Sequence, residues 1–140
     1  MSAPNSEDEY IRFYLGRLRA GDHDAPFHSL LELGPRVVPR LVDAFRTESS
    51  SRVRAELVRI IWNTRAPGIV PFLGQALDDI DAEVWKSALD GLVAAGSSEA
   101  VMVLQANLAR TFADLRSQVE FRSWVEEAIA QIEGDHRGQL

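Results

Sequence analysis

One passage of this 140-residue chain is written more than once, and the repetition limits the folds open to it. Val38-Pro39-Arg40-Leu41 with Phe45 returns as Val70-Pro71-Phe72-Leu73 with Leu77, a shift of 32 residues. A looser copy is Val101-Met102-Val103-Leu104 with Leu108. A second passage repeats in step. Val53-Arg54 with Leu57, Ile60 and Ile61 matches Val84-Trp85 with Ala88, Gly91 and Leu92 at a shift of 31, and Phe121-Arg122 with Val125, Ala128 and Ile129 continues the series. Apolar positions inside each copy fall three and four residues apart, and no strand alternation separates the copies. A two-helix unit of this length cannot bury its apolar face alone, so successive copies must stack. The sequence therefore predicts an all-α chain, an α-solenoid.

Local signals place the units. Ser6 and Glu9 have capping-box spacing, and Tyr10, Ile11, Phe13, Tyr14 and Leu18 follow at helical intervals until Gly21. Phe27, Leu30, Leu31 and Leu33 then run into Gly34-Pro35, which ends a second, shorter helix. Further breaks fall at Glu48 to Ser51, Ala66 to Gly68, Asp78 to Asp81, Gly96 to Ser98 and near Asp114 to Ser117. The expectation is one domain, 1–134, of about four helical hairpins and eight helices, with repeats near 6–34, 35–65, 66–96 and 97–134. Residues 135–140, polar and without an apolar period, read as a flexible tail.

These residues resemble HEAT repeats, in the short form known from phycobilisome lyases, over roughly 35–134. The resemblance rests on a proline in the first helix of a pair (Pro39, Pro71), on Asp81-Ala82-Glu83-Val84 opening the second, and on Val53-Arg54 and Phe121-Arg122. Ser50 and Gln118 stand where Asp81 does, Trp85 replaces the arginine, and the third copy lacks the proline. The resemblance implies a right-handed superhelix whose second helices line a concave face. It also implies that Arg54 and Arg122 bridge neighbouring repeats.

The absence of cysteine excludes disulfides, thiolate nucleophiles, cysteine-ligated zinc and iron–sulfur clusters. No apolar run reaches the length of a membrane span, and Met1 to Glu9 is acidic where a secretory signal is basic, so the chain reads as cytoplasmic. Net charge is −6, which opposes general attraction to phosphate backbones. Only residues 35–65 are basic, with seven arginines against three acids. Arg36, Arg40, Arg46, Arg52, Arg59 and Arg65 either meet an acidic partner or balance the acidic segment that follows.

No phosphate-binding glycine loop, nucleophile elbow or H-E-x-x-H occurs. His23 lies in a loop and His136 in the polar tail, so they and His28 do not suggest an acid–base site. Asp78, Asp79 and Asp81 read as a turn with an N-cap, and no metal or other cofactor is expected. On a helical wheel Trp62 and Trp85 flank the apolar arc, as packing between repeats would require, while Trp124 falls nearer the polar side. The outward row contains Arg52, Glu56, Arg59 and Asn63, then Glu83, Lys86, Ser87 and Asp90, then Glu120, Glu127 and Gln131.

The functional expectation is a non-enzymatic module that binds another protein on this face. Its site is Arg52, Glu56, Arg59, Asn63, Glu83, Lys86, Asp90, Trp124 and Glu127, positive in repeat two and negative in repeats three and four. Reversing Arg52 and Arg59 should leave folding intact. The resemblance further implies narrower readings: an immunity or antitoxin-type inhibitor like small bacterial HEAT-like proteins, a nucleic-acid binder, or an accessory factor of chromophore-lyase type.

Overall fold

A computed structural model describes residues 6–138, with side chains through Gly134. The start Met1 to Asn5, the side chain of His136 and the last two residues lie outside the described residues. Eight α-helices follow one another, and no strand occurs among the described residues: α1 (Glu7–Arg19), α2 (Asp24–Glu32), α3 (Val38–Thr47), α4 (Ser51–Asn63), α5 (Val70–Ala76), α6 (Ala82–Ala95), α7 (Ser98–Asn107) and α8 (Leu115–Gly138). A single 3-10 turn, Gly34–Val37, leads into α3. No helix among the described residues is long and apolar enough to cross a membrane.

The caps explain where the helices start. Ser6 accepts from the Glu9 amide, Ser50 from Val53, Asp81 from Glu83 and Ser97 from Ala100, each satisfying a donor that the first turn leaves free. Pro39 and Pro71 occupy the first turns of α3 and α5, where a missing N–H costs nothing. The last helix starts at the expected break but departs from the repeat alignment in its cap. Asp114, not Gln118, caps it, accepting from the amides of Arg116 and Ser117 and from the Ser117 hydroxyl. The Gln118 Oε1 instead accepts from the Phe112 amide at 3.0 Å. The helix also runs on: residues 135–138, expected in a flexible tail, are helical backbone as far as Gly138.

The most extensive packing joins α4 to α6, followed by α6 to α8, so the second helices of repeats two to four form one continuous layer. First helices α5 and α7 pack side by side behind it. Leu57, Leu73 and Leu92 are fully buried, as are Leu41, Leu104 and Val125. Edge-on aromatic pairs mark the joints between repeats, Phe45 with Phe72 at 5.2 Å and Trp85 with Phe121 at 5.1 Å. All the fully covered side chains among the described residues are apolar.

Arginines tie the repeats together. Arg54 clasps Asp79 through Nε at 2.9 Å and Nη2 at 3.1 Å, and donates from Nη1 to the carbonyls of Glu48 and Ser49. Burial weighs against its charge, but the Asp79 carboxylate outweighs that and raises its pKa. Arg122 does not make the expected bridge. It pairs at 3.0 Å with Glu126 on its own helix, in solvent. Arg110 carries that role in repeat four: it donates to the carbonyls of Leu77, Asp78 and Asp79 and stands over Phe112 and Phe121.

Candidate partner-binding face

The outward sides of α4, α6 and α8 carry the residues selected from sequence. Arg59 is exposed, with its guanidinium 4.2 Å over the Phe27 ring of α2 and 3.5 Å from Glu56. Glu56 also lies 4.0 Å from His23, the N-cap of α2, so His23 and Phe27, both outside the predicted row, contribute to this corner. Asn63 turns back along its helix and donates to the Arg59 carbonyl at 2.7 Å. Ser87, expected outward, donates across to the Ala55 carbonyl and belongs to the α4–α6 joint.

Arg52 differs most from the expectation. Its Nη2 donates to the carbonyls of Leu18 and Arg19, at 3.0 and 3.3 Å, in the last turn of α1, where the Leu18 carbonyl also accepts from the Gly21 amide. Its Nη1 is buried with no hydrogen-bond partner among the described residues. Reversal to glutamate would set a carboxylate against those carbonyls, so Arg52→Glu is not the fold-neutral change the sequence suggested.

In repeats three and four the side chains converge. Lys86 lies 3.6 Å from Glu120, with its ammonium 4.7 Å from the Trp124 ring centre and 5.7 Å from that of Trp85. Trp85 is buried, as inter-repeat packing requires, whereas Trp124 is 44% exposed. Asp90, Trp124, Glu127 and Gln131 border a small cavity of about 60 Å³ between α6 and α8. Asp90 is exposed overall, but desolvation beside that cavity pushes its carboxyl up. Glu83, Asp90 and Glu127 have no cation partner among the described residues.

The face thus has an uneven charge order. Arg59 is left as the exposed cation that α4 presents on this face, partly opposed by Glu56, while three unpaired carboxylates accompany Lys86 and Trp124 further along. Two acids of the α5–α6 turn are already engaged: Asp79 by Arg54 and the Asp81 amide, Asp81 by the Glu83 amide.

A family model of HEAT repeats matches residues 38–131, about two thirds of the chain, and the protein belongs to that family. The match begins at α3 and ends within α8, covering repeats two to four. No curated protein and no solved structure matches the chain. HEAT repeats are generally scaffolds for protein interaction.

Proposed function

We propose that the protein is a non-enzymatic binding module that docks another protein along the second-helix face, with repeats three and four as its principal contact. The observation that carries this reading is the half-exposed Trp124, set against Lys86 and flanked by Asp90 and Glu127. An exposed tryptophan among unpaired charges combines an interface anchor with groups that fix a partner's orientation. A partner segment carrying lysine or arginine fits the acidic half, and cytoplasmic action on such a partner follows from the sequence reading. An immunity or antitoxin-type role is the narrower form of this proposal.

The test is affinity capture from lysate of the native organism with three baits. These are the parent protein, Trp124→Ala with Glu127→Lys on the face, and Arg46→Glu on α3 behind it. A protein captured in stoichiometric amount by the parent and by Arg46→Glu, and lost with the face variant, is the expected result. Equal loss in both variants, or capture of nucleic acid in place of protein, contradicts the proposal.

A further inference from the structure

Just past the ends of α2, α4 and α6, at a spacing of 31 residues, the backbone turns left-handed: φ is 75° at Gly34, 56° at Arg65 and 58° at Gly96. Helix ends favour glycine there because a Cβ is strained. Arg65 is the one non-glycine with positive φ among the described residues. Two repeats make this turn with glycine, so the turn itself does not require an arginine.

The arginine side chain therefore needs a separate reason. Its Nη1 donates to the Ala94 carbonyl at 3.3 Å and its guanidinium stands 5.4 Å from the Trp62 ring centre, which leaves most of its N–H donors uncommitted. A cleft of about 230 Å³ opens beside it between repeats two and three, bordered by Trp62, Arg65, Ile69, Gly91, Ala94 and Ala95. The Trp62 ring borders the cleft, while its Nε1 is covered and has no hydrogen-bond partner among the described residues. A strained arginine thus stands at the cleft, beside a tryptophan whose indole N–H is orphaned on its covered side. Such costs persist where surrounding structure holds them for a function.

We propose that this cleft binds a carboxylate carried on a short branched hydrocarbon, with the acid on the Arg65 guanidinium and the hydrocarbon against Trp62 and Ile69. The apolar border disfavours a strongly hydrated inorganic anion. The volume lies below the roughly 300–1,000 Å³ of sites for larger ligands. One amino-acid-sized group fills it. A free organic acid and the C-terminal residue of a partner chain share this chemistry. The site is separate from the α6–α8 face and does not depend on it.

The experiment follows the Trp62 indole resonance of the full chain, assigned with Trp62→Phe, during titration with isovalerate and with its neutral isostere isovaleramide at constant ionic strength. A saturable shift with the acid and none with the amide is expected. Loss of the charge-assisted hydrogen bond in Arg65→Gly should weaken isovalerate binding about tenfold or more, while thermal melting stays level or rises because the backbone strain is relieved. Arg65→Asn, which also tolerates the left-handed turn, provides a second variant. An acetylated dipeptide ending in leucine distinguishes the sources: about tenfold tighter binding than isovalerate assigns a chain terminus, and no gain assigns a free acid. An equal response to isovaleramide, or isovalerate binding unchanged in both Arg65 variants, overturns the proposal. Unchanged binding with a lowered melting midpoint would reduce Arg65 to a clamp on α6.

Discussion

Single side chains decide whether the repeats can close on one another. A Cβ built on Gly91 would meet the Trp62 Cγ at 2.8 Å and Cβ at 2.9 Å, and Leu73 Cδ1 at 3.0 Å. Gly91→Ala should therefore cost about 1–3 kcal/mol through overpacking between α4 and α6, read as a lower urea midpoint with little change in slope. Leu57→Asp, Leu73→Asp and Leu92→Asp each place a charge at a fully buried position. Each should remove several kcal/mol, a large share of the roughly 5–15 kcal/mol of a small domain, and abolish cooperative melting. Core residues such as these were legible in sequence because burial follows the direction of the Cα–Cβ bond. Arg52 and Arg122 were not, since a long flexible side chain ends far from where its Cβ points. Arg65 was half legible: its spacing from Gly34 and Gly96 marks it as the odd member of a glycine series, but its cleft appears only when α4 and α6 are packed.

Between elements, the stack depends on a few charged clasps. Removing either side of the Arg54–Asp79 pair, as Arg54→Ala or Asp79→Ala, should cost about 2–3 kcal/mol because the remaining charge stays largely covered. A double-mutant cycle would show the two losses to be non-additive. Glu48 joins α1 to the turn before α4 through Arg19 at 2.8 Å. Burial alone would raise its carboxyl, yet Arg19 and the Ser50 amide hold it below the ordinary value. Asp114 is lowered as well, by the Ser117 hydroxyl and neighbouring amides. A depressed folded-state pKa means stability that is full above the unfolded carboxylate value, near 4, and lost as pH falls through the folded value. Melting midpoints should therefore drop on acidification below about pH 4, and less steeply in Glu48→Gln. Helix number and most boundaries were legible from caps and periodicity. The start of α8 was legible as the break near Asp114 to Ser117, but the repeat alignment sets Gln118 against Asp81, and it is Asp114 that caps. The Arg110 links to carbonyls 31 to 33 residues back leave no trace in local sequence.

At the scale of the molecule, the repeat phase was enough to predict a stack of helical hairpins, because each copy must bury its apolar face on the next. The charge order along the working face was only partly readable. Net segment charge counts Arg52 and Arg54 as available cations, but both are spent inside the scaffold, on α1 carbonyls and on Asp79. The acidic end, with Glu83, Asp90 and Glu127, remains free to meet a partner. Complex formation should accordingly weaken with rising salt, mainly through slower association of a partner with repeats three and four. The most direct test is amide hydrogen exchange on the captured complex compared with the free protein. The account predicts new protection in residues 83–90 of α6 and 120–131 of α8, with α3 and α7 unchanged. Protection confined to α1, α3, α5 or α7 would contradict it and move the binding surface to the opposite side.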